Sequence, residues 1–441
     1  MTQAASILAE MPYARKGSST TSAAVVNAPR LLTPIVQSGA VNVSDIAGLT
    51  PDALRAELVR RANALLPLLE KNALATEQNR RVVDENIEAI RAAGLLKITV
   101  PRRHGGLETN MRTVLDVSRE LAKGCGSTAW VTTLMNVCAW FAGFGSEQLQ
   151  TDIWGENPEA RIAGVFAPSA NSRAVDGGFR VTGKWAWASG CLHSDWALVG
   201  VPVVDAQGNE IDQGFAVLPM SDVTIEDSWF VVGMQGTGSN TIVANDVFIP
   251  HHRIASVPKL IEGVPQTPFT DEAMYRSSFV PVAALALAGP QLGLCARALE
   301  FVLEKAPKRG VSYTFYDRQI DSPSFQLAVA NAAAEVDTAH LFAYRAADVI
   351  DTAAREGRKL SYLERARVKM DVGKSITAAR DAIDSLVSAH GAGSFAEASL
   401  LQRIWRDQEC ASRHAVLSPA ISAEVYGKAL LGIEGGVTAL V

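Results

Sequence analysis

Cysteine is scarce in this 441-residue sequence, with five residues in all. Cys125, Cys138, Cys191, Cys295 and Cys410 are scattered, odd in number and without a C-x-x-C pair. That excludes a disulfide framework and fits small apolar side chains in a reducing cytoplasm. The seven histidines form no H-E-x-x-H pattern, and adjacent His251 and His252 cannot share one helical face, so no metal is expected. Positive charge is not in excess: 41 Lys and Arg against 46 Asp and Glu leave a net charge of -5. This argues against a nucleic-acid or anionic-membrane surface. Long apolar runs are missing; Val280 to Gly289 is short and interrupted, so no membrane span is expected. The N-terminus has no basic segment followed by an apolar one, so no secretory signal is expected either. No G-x-G-x-x-G follows a strand and opens a helix, which leaves no dinucleotide fingerprint.

What is present is the composition of a soluble globular chain, 48% hydrophobic and 20% charged, long enough for two or three packed domains. Residues 1–45 are rich in Ala, Ser, Thr, Val and Pro without periodicity and read as a loosely ordered arm. Residues 46–160 read as a helical domain. Thr50 is a helix cap with Pro51 at the first helical position, and Leu54, Leu58, Ala62 and Leu65 recur at helical steps. Gly94 ends a second helix, Arg102 to Gly106 is a loop, and a further helical pair runs to about Gly145. Residues 161–265 have strand composition, with strands expected at 178–183, 196–204, 214–218 and 241–249. Residues 266–441 are helical again, with long Ala-rich runs at 328–350 and 363–390. The expected class is α+β: helices, a central β-domain, then a helical bundle.

Within the β segment, Trp185-Ala186-Trp187-Ala188-Ser189-Gly190 is followed by His193 and Trp196. Two tryptophans two residues apart on a strand point to the same side. They suit a wall against a large flat ring with a hydroxyl at its edge; taken alone, they equally suit strand residues packed in a core. Gly236-Thr237-Gly238-Ser239 combines close backbone approach with two hydroxyls that can hold an anion, or is an ordinary turn. Gly391-Ala392-Gly393-Ser394 follows a long helix and is either a second such loop or a plain connection.

Taken in order, the motifs cover residues 50 to 435. They are Glu85-Asn86-Ile87 with Ile90 and Gly94, Pro101 to Gly106, Gly126-Ser127-Thr128-Ala129-Trp130, Ala167-Pro168, Gly183 to Gly190 with His193, Gly236 to Ser239, Val247-Phe248-Ile249-Pro250, His390 to Ser394, and Arg406-Asp407 through His414. This ordered set resembles the acyl-CoA dehydrogenase superfamily, and within it the oxygenase components of two-component flavin monooxygenases, such as the 4-hydroxyphenylacetate and steroid-ring hydroxylases. The resemblance implies an N-terminal helical domain, a central β-barrel or sandwich, and a C-terminal four-helix bundle that assembles as a homotetramer.

It also implies a chemistry. A separate NAD(P)H:flavin reductase supplies reduced FMN or FAD, O2 adds at C4a of the flavin, and the hydroperoxide oxygenates a small substrate. Trp187, Ser189, Gly190, Thr237, Gly238, Ser239, Gly391, Gly393 and Ser394 fall at cofactor positions. Ser189 matches a serine or threonine near N5 of the flavin, although a strand-terminal serine can also bond its own backbone. His414 matches a histidine near C4a, where an imidazole can donate a proton; the plainer alternative is a core histidine on an apolar helix. Many acyl-CoA dehydrogenases carry their proton-abstracting glutamate where this chain has Ala415, and Glu409 faces elsewhere, so a dehydrogenase or oxidase is the lesser reading. A non-catalytic flavin-binding protein is a third. Trp130, Asn136, Cys138, Trp140, Gly164 and Phe166 are the expected substrate pocket. Phenol-hydroxylating relatives bind the phenol oxygen with a histidine and a serine where Cys138 and Gly164 stand here, and neither replaces those partners. The pocket suits a neutral aromatic or heteroaromatic substrate and leaves N- or S-oxygenation open.

Overall fold

The computed structural model describes residues 31–33 and 43–441. Most of the expected arm lies outside the described residues. Its described parts are structured: Leu31–Leu32 (β1) pairs with a strand of the central region, and Ser44–Ala47 (α1) is a helical turn.

The first helical region holds α2 (Pro51–Ala64), α3 (Leu66–Gln78), α4 (Asp84–Ala92), α5 (Met111–Gly124), α6 (Gly126–Gly143) and α7 (Glu147–Trp154). Thr50 caps α2, its hydroxyl accepting the Ala53 N–H at 3.4 Å. Gly94 takes φ +75° after α4, a conformation that favours glycine. Arg102–His104 forms a 3-10 turn inside the expected loop. Helix α6 runs through the centre, and every one of its residues except Leu134 is buried.

Strands β2 (Ile162–Val165), β3 (Ala170–Val175), β4 (Gly178–Ala188), β5 (Trp196–Val204), β6 (Glu210–Pro219), β7 (Thr224–Glu226), β8 (Asn240–Pro250) and β9 (Ile254–Ser256) form two sheets, ordered β1-β7-β8-β4-β3 and β2-β5-β6-β9. Phe179, Val181 and Trp185 of β4 meet Val199 and Val201 of β5 and Ile242 of β8 in one buried cluster, so the sheets close on each other as a sandwich. The two tryptophans do not share a side. Trp185 is fully buried and donates from Nε1 to Gly200 O at 2.9 Å. Trp187 is 67% exposed, with φ +72°. Trp185 pairs with Ile242 and Ala188 with Asn240, so β4 carries one more residue than β8 across this interval. That bulge resets the alternation and turns Trp187 outward.

The sheets lead through α8 (Val257–Ile261) to the C-terminal helices α9 (Phe279–Ala286), α10 (Ala288–Lys305), α11 (Pro323–Glu356), α12 (Tyr362–His390), α13 (Leu400–Ala411) and α14 (Pro419–Leu430). Ser361 and Glu364 form a reciprocal cap on α12. Ala339, Ala343, Ala346 and Ala347 of α11 and Ala378, Ala379 and Ala382 of α12 are fully buried, and their size allows close helix approach. The helical run Phe279–Lys308 is long and apolar enough to cross a membrane, contrary to the reading of Val280 to Gly289 alone. Its apolar window is 89% buried in the fold, which accounts for its composition.

Candidate active site

Beyond the bulge, the chain turns at Ser189 and Gly190. Gly190 has φ +78°, and a Cβ there would stand 3.0 Å from both Val131 and Met135 of α6, so glycine seats this turn on the helix. The Gly190 N–H donates to Thr237 O at 3.1 Å, joining it to the turn Gln235–Thr237. Trp130 of α6 donates from Nε1 to Ser189 Oγ at 3.2 Å. Ser189 Oγ is 2.7 Å from Ser239 Oγ, which is 2.6 Å from Thr237 Oγ1. Thr237 Oγ1 donates to Met234 O at 2.9 Å. Ser189, Thr237 and Ser239 therefore meet as a continuous, buried hydroxyl chain. A Cβ at Gly236 would lie 2.4 Å from Thr76 Cγ2, and one at Gly238 3.1 Å from Arg80 O, so both glycines let the turn pack on protein.

The turn is held from the far end of the sequence. Met234 has φ +54°, and its N–H donates to Asp407 Oδ1 of α13 at 2.6 Å. Burial raises the Asp407 carboxyl to about 6. Past α13, His414 does not sit on a helix; it opens the 3-10 turn Ala415–Leu417. Its ring centroid is 6.1 Å from that of Trp130. The ring is open to solvent, yet enough protein surrounds it that desolvation lowers its pKa to about 4. Nδ1 accepts the Val416 N–H at 3.4 Å, which puts the proton of the neutral ring on Nε2. His414 is thus a neutral N–H donor at pH 7 and not the near-neutral acid expected from its type. Ala415 is exposed beside it, and Glu409 pairs with Arg413.

Trp130, Leu134 and Cys138 follow at four-residue steps along one face of α6. Cys138 faces Gly164, where a Cβ would lie 2.8 Å from Sγ, and burial pushes its thiol up to about 12. Half-buried Phe166 packs edge-on to Phe141 at 4.5 Å, with Phe279 at 5.7 Å. These residues make an apolar wall. Trp140 packs behind it on Phe141 and Phe279, and Asn136 does not belong to it. The Asn136 amide binds Ile98 N, Leu95 O and Thr132 O, and Trp140 donates to Met274 O at 3.1 Å within the core. His193 is structural too: one ring nitrogen lies 2.9 Å from Val82 O, and burial lowers its pKa to about 3.

Gly391, Gly393 and Ser394 close α12, where Ser394 Oγ donates to Val387 O at 3.1 Å. No hydrogen bond among the described residues joins this loop to Ser189, Thr237 or Ser239. Beside it, Arg309 donates to His390 O at 3.2 Å and Gln319 to Ala389 O at 3.3 Å. Arg309 Nε, Gln319 Oε1 and His390 Nδ1 are buried without a partner. Of these, Arg309 Nε is a donor on a cation and could meet a phosphate oxygen, whereas Gln319 Oε1 can only accept. Neither Arg309 nor Gln319 carried a signal in the sequence, and the Asp407–Met234 link had only the motif position of Asp407 to suggest it.

Residues 54–154 match the acyl-CoA dehydrogenase N-terminal domain and residues 285–419 the acyl-CoA dehydrogenase C-terminal domain. The chain belongs to the acyl-CoA dehydrogenase family. Its place within that family follows from its relatives. The chain is 32% identical to the oxygenase subunit HsaA of a flavin-dependent monooxygenase from Rhodococcus jostii, over 85% of this chain and 98% of that protein. It is 30% identical to the p-hydroxyphenylacetate 3-hydroxylase oxygenase component of Acinetobacter baumannii, over 87% and 91%. It is similar in structure to XiaF from Streptomyces sp., solved with FADH2 and glycerol, at a TM-score of 0.83 and 35% identity, over 88% of this chain and 98% of that one. The resemblance and the fold class read from the sequence are both borne out.

Proposed function

We propose that this chain is the oxygenase component of a two-component flavin monooxygenase. It binds reduced FMN or FAD supplied by a separate NAD(P)H-dependent reductase and oxygenates a small neutral aromatic or heteroaromatic substrate. The observation that carries this reading is that Trp130 donates to Ser189 and lies 6.1 Å from the His414 ring, with Ala415 beside it in place of a carboxylate base. Bound reduced flavin supplies two electrons to O2, so that one oxygen atom enters the substrate and the other leaves as water. Ser189 presents its oxygen to the ring edge, and Trp187, turned outward by the bulge, offers a flat apolar face. His414 holds a proton on Nε2, where it can hydrogen-bond an oxygen atom without first being protonated. Cys138, Gly164 and Phe166 present no charge to the substrate, which favours a neutral ring over a phenolate.

The loop Gly391–Ser394 fits the same reading if a second copy brings it to the neighbour's flavin in a homotetramer. Five unpaired cysteines fit a reducing cytoplasm. Anaerobic titration with reduced FMN and FAD, followed by isotopically labelled O2 and a panel of arenes, indoles and amines, tests the proposal. Labelled oxygen in an organic product is expected. Failure to bind either reduced flavin overturns it.

A further inference from the structure

The hydroxyl chain beside Trp130 has a direction. Trp130 Nε1 can only donate, so Ser189 Oγ accepts from it. At the other end Met234 O can only accept, and Thr237 Oγ1 gives it its proton. Thr237 Oγ1 must then accept from Ser239, and Ser239 Oγ from Ser189, because each hydroxyl has a single proton. Reversing the chain would free the Ser189 proton, but Thr237 would lose its bond to Met234 O. The forward direction keeps one more internal hydrogen bond. The residue that ends the chain is tied from outside the site, since the Met234 N–H donates to Asp407 Oδ1. Ser189 therefore meets a ligand with a lone pair.

We propose that Trp130, Ser189, Ser239 and Thr237 form a polarised relay that makes Ser189 an acceptor toward a bound flavin and so selects reduced flavin over oxidised flavin. This rests on the reading that Ser189 faces N5 of a bound flavin. N5 carries a hydrogen in the reduced ring and a bare lone pair in the oxidised one. Reduced flavin donates to Ser189 with the relay intact. Oxidised flavin meets a lone pair, or requires the relay to reverse and give up one hydrogen bond. One such bond corresponds to a preference of about fivefold. Trp130, Ser239 and Thr237 act here as positioning residues.

The test is the ratio of dissociation constants for oxidised and reduced FMN, titrated anaerobically. Wild type binds the reduced form more tightly. Thr237→Val and Ser239→Ala each remove the relay's sink, and the ratio falls about fivefold. Thr237→Ser keeps the chain and retains the wild-type ratio. The same fall appears as about 20 mV in the two-electron midpoint potential of bound flavin. A ligand-side control needs no variant: oxidised 5-deaza-FMN, with C–H in place of N5, binds wild type at least as tightly as oxidised FMN. If it binds more weakly, Ser189 donates and the relay is refuted. An unchanged ratio in both Thr237→Val and Ser239→Ala, with both flavin forms still bound, also refutes it while leaving the flavin site standing. If wild type binds neither form, the flavin reading itself falls, and the relay with it.

Discussion

The rings of Trp130 and His414 lie 6.1 Å apart between centroids, with their planes tilted by 53°. The contact ties α6 to the turn after α13 and sets the imidazole beside the indole that donates to Ser189. Ser189 and His414, from distant parts of the chain, thereby both meet Trp130.

His414→Ala should keep reduced-flavin binding and divert turnover from product to hydrogen peroxide. Because desolvation by the surrounding protein holds the imidazole near 4, product formation should show no ionisation of His414 between about pH 6 and pH 8. The stability effect has a definite sign. The folded value lies below the ordinary 6.5, so the unfolded chain takes the proton first, and stability present above 6.5 is lost as pH falls through about 4. His414→Ala should therefore lose less thermal stability than wild type on acidification. Peroxide yield and melting curves across this range check both expectations. A coupling ratio equal to wild type would remove His414 from the chemistry.

Ser189→Ala deletes the acceptor of the buried Trp130 N–H and the first hydroxyl of the chain to Thr237. An unsatisfied buried donor costs about 1–3 kcal/mol, so the midpoint of denaturant unfolding should fall accordingly. Peroxide release should rise as well. Restoring the hydroxyl with Ser189→Thr should recover coupling more than stability, because the added methyl must fit beside Gly190. Equal coupling in Ser189→Ala and wild type would contradict a contact with the flavin.

The order of helices and strands was legible because hydrophobic period and turn residues change sharply near 161 and 266, and the motif series fixed the family. Side-chain direction was less legible. Trp185 and Trp187 share a side only if β4 is regular, and the extra residue against β8 is set by pairing between distant strands. Asn136 fell at a plausible pocket position on α6, but its amide ties down the chain at Leu95 and Ile98. His414 was found by its distance from Asp407, whereas its charge state depends on the protein packed around it. The linkage from Asp407 to Met234 joins parts of the chain that no local pattern connects.

Asp407→Asn keeps an acceptor for the Met234 N–H while removing a buried charge. Burial raises the Asp407 carboxyl from 3.8 to about 6 in the folded chain. Between those values the folded state holds the proton and the unfolded state does not, so wild-type stability falls as pH rises through the window. Above about 6 the buried charge costs on the order of 1–3 kcal/mol. The variant should therefore gain stability relative to wild type as pH rises from about 4 to about 6, and keep that gain above it. Paired melting curves check this, and a difference that does not change with pH counts against a buried, raised carboxyl.

Gly164 and Cys138 should show strong coupling in a double-mutant cycle. A Cβ at position 164 would stand 2.8 Å from Cys138 Sγ and 3.2 Å from Leu198 O, so Gly164→Ala must displace the thiol. Overpacking of this kind costs about 1–3 kcal/mol. Cys138→Ala alone opens space and costs a transfer and cavity term, whereas Gly164→Ala in that background fills part of the space it leaves. The two costs should therefore sum to more than the double variant shows, by at least about 0.5 kcal/mol. The pocket consequence separates the pair from ordinary packing. In the double variant the wall stays apolar, with the Cys138 sulfur removed and a methyl added at 164, so neutral arenes should still be oxygenated with altered KM while coupling stays near wild type. Additive stability effects would show that the thiol and the glycine do not share this space.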